Sequence, residues 1–206
     1  ARLLEQVAAA WQVSADDLIC QDKSIHARTD RSKKLTWKKA CALLAAPIQE
    51  QHNWAEGLSD VGTAGCQFAE VEVDTETGRV RIKRMVAVQD CGLVLNMLTA
   101  KNQVNGAIIG EIGYAMLENR IMNVDTGLMV NPNMENYKIP GAWEMPEFDV
   151  TLIDESHRGV IGLGEPPAIP GLAAIANAVA NACGARIREV PITPDKILTA
   201  LARQEG

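Results

Sequence analysis

The chain has 206 residues, 47% hydrophobic and 22% charged, enough for one domain with a substantial core or for two small ones. Its net charge of -6 and pI near 5.1 argue against nucleic acid as the main partner, because phosphate binding needs a basic face. No stretch is apolar over the length needed to span a bilayer.

Leu3 to Trp11 carries apolar residues at helical spacing, and Ser14-Ala15-Asp16-Asp17 reads as a break. The first residues lack the charged, apolar and small-residue zones of a signal peptide. The chain opens in helix-like sequence with no initiator Met, as a fragment or processed product would. The basic run Arg31, Lys33, Lys34, Lys38 and Lys39 reads as a solvated face or partner contact. Thr36 is placed to cap a helix from Trp37 to Ala46, which Pro47 ends. Gln49 to Gly65 is polar and rich in Gly and Ser, so it reads as loop.

Two strands follow. Phe68 to Val73 alternates, as does Val80 to Lys83, with Asp74 to Arg79 as the connection. If Val73 faces Val80, Glu72 meets Arg81 and Glu70 meets Lys83 on one face. Val71, Val73, Val80 and Ile82 then pack on the other. The second strand is expected to run on through Val86 and Val88 towards Asp90.

Leu98 to Leu117 reads as a long helix with Gln103, Gly106 and Gly110 on one face. Glycine costs helix stability, so such a stripe marks either a tight packing seam or close approach by a ligand. Asn131 to Pro146 is extended and punctuated by proline, and Phe148 to Ile153 reads as a strand. Gly171 to Cys183 is small and apolar on nearly every side, as a helix buried all round would be, with Gly184 ending it. Thr193 and Pro194 mark the start of a last helix running to about Arg203. Hairpin strands with separate helices give an α+β fold, a hairpin or mixed sheet packed with helices.

The five cysteines (Cys20, Cys41, Cys66, Cys91, Cys183) form no CxxC and read mostly as small core residues. The three histidines (His26, His52, His157) show no ligand spacing. A redox centre would therefore come from a bound cofactor or another chain. Glu165 stands out: it lies between Gly162-Leu163-Gly164 and Pro166-Pro167, ahead of an apolar helix. Proline biases the preceding residue away from helix, while the glycines let something approach. That is a sensible setting for a general base, or for a glutamate satisfying helix N–H groups.

Three blocks, in order, resemble the molybdenum-binding subunit of the xanthine dehydrogenase/aldehyde oxidase family. They are Phe68 to Asp74 with Thr77-Gly78-Arg79-Val80; Gln89-Asp90-Cys91-Gly92 with Asn96 and Gln103 to Ala107; and Gly162 to Pro167 with Ala176-Asn177-Ala178 and Ile192 to Lys196. Asn133 to Tyr137 and Pro146-Glu147 also fit, and the wording is nearest the bacterial aldehyde-oxidising branch. The resemblance runs from about Gly65 to Leu201. It implies that residues 1–206 are a C-terminal portion of the molybdenum-binding domain, with 65–206 bearing the motifs and 1–64 a helical and loop region.

In that family Glu165 matches the catalytic glutamate, which deprotonates a molybdenum-bound hydroxyl whose oxygen attacks an aldehyde or electron-poor ring carbon. Hydride passes to the sulfido ligand, and water supplies the oxygen. Gln103 matches a glutamine that hydrogen-bonds the molybdopterin cofactor, and Gly162, Leu163 and Gly164 would let the loop pass close to the metal. None of the chain's own residues is expected to ligate the metal. The resemblance further implies the cytosine dinucleotide form of the cofactor, with [2Fe–2S] clusters and FAD on partner chains. An iron–sulfur subunit, an FAD subunit and the N-terminal part of the molybdenum-binding subunit are the implied partners, and an aldehyde or heteroaromatic compound the substrate. Unpaired cysteines point to the cytoplasm, with export on a partner's signal as the other route. Met97 departs from the family, which often has proline there. The family's subunit is also far longer, so this stretch is not expected to hold the cofactor well alone. The other function class is a non-catalytic assembly or phosphate-binding module that uses the Gly162–Glu165 loop and the helix after it.

Overall fold

The structure, a computed structural model, describes residues 1–51 and 62–203. His52 and most of the loop expected over 49–65 lie outside the described residues. The chain divides into two compact units, Ala1–Trp54 and Ala55–Gly206.

In the first unit, helix α1 (Arg2–Trp11) buries Val7 and Ala8 and ends at Gln12, which takes the left-handed conformation. Ser14 caps a short 3-10 turn, Ala15–Asp17, by accepting the Asp16 N–H. Three short antiparallel strands follow, β1 (Leu18–Gln21), β2 (Ser24–Ala27) and β3 (Lys34–Thr36), in that order across the sheet. Asp22 and Lys23 link the first two with φ of 49° and 55°, the left-handed pair that matches strand twist in a two-residue hairpin. This sheet was not expected from the sequence. Helix α2 (Trp37–Cys41) starts on Thr36, which accepts the Lys39 N–H as expected. It stops well short of Ala46, because Leu43 and Leu44 make i−3 bonds to Ala40 and Cys41 that tighten and close the last turn. Val7, Leu18, Ile25, Ala27 and Ala40 form the core. Arg31, Lys34, Lys38 and Lys39 are exposed, as a solvated basic face requires.

The second unit is built on a three-stranded mixed sheet. β4 (Ala64–Val73) and β5 (Val80–Asp90) are antiparallel, and β6 (Glu147–Ile153) lies parallel to β5 on its far side. Val73 faces Val80 and Glu72 faces Arg81 as expected, but Glu70 faces Arg84, not Lys83. A bulge between Glu70 and Val71 shifts the register by one, so the charges pair differently: Lys83 Nζ lies 3.7 Å from Glu72 and Arg84 Nε 3.4 Å from Glu70. Gly78, at φ 72°, closes the connecting loop, with Asp74 Oδ1 accepting the Glu76 and Thr77 N–H groups.

Helix α3 (Met97–Met116) is capped by Asn96, whose side chain accepts the Thr99 N–H at 3.1 Å. It buries Val104, Ile108, Ile112 and Ala115 at the i, i+4 spacing of one face. Helix α4 (Gly171–Cys183) buries Gly171, Ile175 and Val179 and ends at Gly184, φ 77°. It is not buried all round within this chain: Ala173, Asn177 and Asn181 are exposed. Helix α5 (Pro194–Ala202) begins after Thr193, which holds the cap position without a side-chain cap bond. Ile82, Met85, Val150, Ile192 and Ile197 join α3 and α4 in one core. All five cysteines are free thiols; Cys91 is buried and Cys183 packs against the core, but Cys20 and Cys66 are exposed, which corrects the core reading for those two. Among the described residues no helix is long and apolar enough to cross a membrane.

Candidate functional site

The sheet's end sets up a cleft. After β5 the chain turns at Gly92 (φ 65°) and pairs with the stretch around Gly159: Leu93 N–H donates to Gly159 O (2.8 Å), Ile161 N–H to Cys91 O (3.2 Å) and Glu155 N–H to Gly92 O (3.1 Å). A Cβ on Gly92 would collide with the Gly159 carbonyl, so this close pairing requires glycine there. Asp90 accepts the Gly92 N–H at 2.9 Å and pairs with Arg158, which also donates to Gly62 O. The two strands of this turn and the first turns of α3 enclose about 270 Å³, lined by Cys91, Leu93, Asn96, Thr99, Gln103 and Leu163 among others. Burial first, then the Asp154 carboxylate, pushes the Cys91 thiol up, so it lines the cleft as a neutral thiol, not a thiolate nucleophile.

Glu165 stands at the start of a 3-10 turn, Pro166–Ala168, five residues ahead of α4's Pro170 cap position and not at the α-helix itself. Its carboxylate is exposed and makes no hydrogen bond or ion pair among the described residues. Its backbone, in contrast, is held on both sides. Gln103 Nε2 donates to Gly164 O (2.6 Å), Gln67 Nε2 on β4 to Pro167 O (2.6 Å), and the Tyr114 hydroxyl to Ala168 O (2.7 Å). The Gly171 N–H donates to Glu111 Oε1. Three of these four side chains come from α3, so one helix sets where the loop runs. Such support fixes the backbone of the loop and leaves the Glu165 head group free of partners among the described residues.

The structure thus brings Gln103, Leu163, Gly164 and Glu165 together, with exposed Gly162 between the cleft residues Ile161 and Leu163. Gly106 and Gly110 lie on α3 between the Gln103 and Tyr114 ties. A Cβ at either, or at Gly162 or Gly164, would meet nothing within 4 Å. The stripe is therefore no packing seam among the described residues. Sequence reasoning missed Gln67, Glu111 and Tyr114. Glu111 carried a signal, being the one charge between Lys101 and Glu118 and standing at i+3 from Ile108 on the apolar face.

The profile of the molybdopterin cofactor-binding domain matches residues 1–146, and the chain belongs to that family. The match reaches back to residue 1, over a stretch whose motifs carry little of the resemblance. The chain is similar to the xanthine dehydrogenase molybdenum-binding subunit of Escherichia coli O157:H7, at 38% identity over 137 residues, 65% of this chain and 18% of that protein. It is also similar to the aldehyde oxidoreductase molybdenum-binding subunit PaoC of Escherichia coli (strain K12), at 40% over 139 residues, 65% and 19%. Among solved structures, the aldehyde oxidoreductase from Desulfovibrio gigas matches with TM-score 0.60 and 29% identity over 68% of this chain and 15% of that one. Quinoline 2-oxidoreductase from Pseudomonas putida 86 shares the fold over 98% of this chain and 28% of that one, with TM-score 0.66 at 23% identity. The chain spans under a fifth of the length of these two curated relatives.

Proposed function

We propose that the chain supplies the general base and one wall of the cofactor cradle in a molybdenum hydroxylase, an oxidoreductase that oxidises an aldehyde or N-heterocycle with water as oxygen source. The observation that carries this is the bond from Gln103 to Gly164 O. It ties an exposed carboxylate on a clamped backbone to a bare glycine face.

The residues fit the group. Four glycines in two joined segments leave space where a flat cofactor can approach the backbone. Gln103 spends one N–H on Gly164 and keeps a second N–H and its Oε1 for a pterin edge. When bound, the molybdenum cofactor supplies the two-electron redox chemistry and the Lewis acidity. Glu165 accepts the proton of the water-derived nucleophile at its carboxylate, which has no competing partner among the described residues. The ties at Gly164, Pro167 and Ala168 fix the backbone from which that carboxylate extends, and Leu163 gives the cleft an apolar wall. The names of the relatives make them subunits. We assign to this protein the same kind of assembly: the rest of a longer molybdenum-binding subunit, with [2Fe–2S] and FAD subunits carrying electrons away. The cytosine dinucleotide form of the cofactor and a cytoplasmic location belong to the same proposal.

An anion-binding module is less well supported. The N–H that opens α4 is already taken by Glu111, and the exposed Glu165 would repel an anion. The test is Glu165→Gln in the intact enzyme. Turnover should fall by about 10²–10⁴-fold, the usual worth of a general base, with molybdenum content retained. Near-normal turnover in a molybdenum-replete variant would sink the assignment.

A further inference from the structure

Glu111 is fully buried on α3 (0% exposed). Among the described residues it has no cation partner. An unpaired buried carboxylate is among the costlier things a core can hold. Its Oε1 accepts the Gly171 N–H, but its Oε2 has no partner. Gln67, 9% exposed, has the matching defect: Nε2 donates to Pro167 O, while Oε1 is buried without a donor. Both orphaned oxygens crowd the space that a Cβ on Gly171 would occupy, so they are neighbours. Turning the Gln67 amide over does not resolve this, because it would set Oε1 against the Pro167 carbonyl, which can only accept. Two facing acceptors without a donor lack one hydrogen.

We propose that Glu111 is a protonated carboxyl in the folded protein, its Oε2–H donating to Gln67 Oε1, and that this pair is a positioning device for the Glu165 loop. The proton completes a chain from Pro167 O through Gln67 and Glu111 to the Gly171 N–H, satisfying every buried polar atom in it. It therefore ties both ends of the Pro167–Gly171 segment to one joint between β4 and α3. Burial, as the largest cause, pushes the Glu111 carboxyl up, and the Gly171 N–H bond and the nearby Gln67 amide only partly offset it. The titratable group beside it is Tyr114 on the same helix, its phenol pushed up to about 12 by burial, then by Glu111 and Glu118. Among the described residues, β4 brings the Gln67 amide and the loop brings backbone at Pro167 and Gly171. The inference stands whether or not Glu165 is the base; only its consequence for turnover rests on that proposal.

A raised folded pKa means that the native state holds a proton the unfolded chain releases. The contribution is complete below the ordinary glutamate value and is lost as pH rises through the folded value. The test compares the intact protein with Glu111→Gln and Glu111→Met, reading thermal midpoint against pH and hydrogen exchange of the segment around Gly171. Glu111→Gln carries a permanent N–H donor in place of the O–H. It should fold, keep the exchange protection, and gain on the native protein as pH rises from the glutamate range to mildly alkaline. Glu111→Met should lose about ten-fold in protection, the scale of one hydrogen bond. The proposal is overturned if the native-minus-Gln difference is flat with pH, if Gln loses as much protection as Met, or if the Gln variant does not fold. Neither readout uses turnover, so a failure here is distinct from a failure of the Glu165 assignment.

Discussion

Gly106 and Gly110 occupy the interior of a 20-residue helix, where each costs about 0.5–1 kcal/mol relative to alanine. A methyl group at either would meet only open space. Among the described residues nothing packs against that face, which fits the proposed cofactor lying there. Replacing both with alanine is therefore expected to raise the thermal midpoint of the intact protein while lowering its molybdenum content. A higher midpoint with unchanged metal content would remove the cofactor from that face. At this scale the sequence told half the story. Glu165 was legible because glycine and proline bracket it, and Gln103 because it shares a line with the glycines. Gln67 was not, and the lone charge at Glu111 did not reveal what it meets, because their partners lie 100 and 60 residues away in the chain. Only the folded sheet and helices bring those groups together.

Among the elements, the β4–β5 hairpin shows what a repeating pattern can and cannot fix. Alternation sets which face each side chain takes, so the Val73–Val80 rung was readable. The extra residue at the bulge leaves that alternation nearly intact to the eye, so the register beyond it was not. The first unit's strands, only three or four residues long and the first two joined by Asp22-Lys23, offered neither a period nor an Asn-Gly signal. Gly78 is the hairpin's weak point. Its φ of 72° disfavours any side chain, and a Cβ would strike the Pro194 carbonyl at the start of α5. Gly78→Ala should lower stability by about 1–3 kcal/mol, seen as a lower denaturation midpoint with little change in the slope of the transition. A neutral result would mean that the loop and α5 separate without cost.

Across the whole molecule, the fold is that of a molybdopterin-binding domain, yet much apolar surface is open. Trp143 is 96% exposed, Val124 93%, Leu95 75% and Leu98 70%. Apolar surface on this scale commonly meets a partner, and the relatives are some five times longer than the stretch they share with this chain. The complex that co-purifies with the chain from its native source should contain molybdenum in step with the chain, together with iron. Elemental analysis decides this: a purified complex that turns over an aldehyde without either metal would contradict the proposed chemistry. What the sequence alone conveyed at this scale was the α+β class and the family's motif order. The polar, Gly- and Ser-rich stretch from Gln49 to Gly65 spans the division after Trp54, but composition alone did not say that the residues before it form a compact unit of their own.

Because Gln103, Glu111 and Tyr114 all reach the Glu165 loop from α3, their usefulness depends on a fixed count of residues between them. Inserting or deleting a single residue between Gln103 and Glu111 would rotate the later two by about 100° and slide them by about 1.5 Å, disconnecting them from Ala168 and Gly171 at once. The helix should thus accept many replacements of one residue by another while tolerating almost no change in length. Homologous genes that lengthen this protein are expected to do so outside residues 103–114.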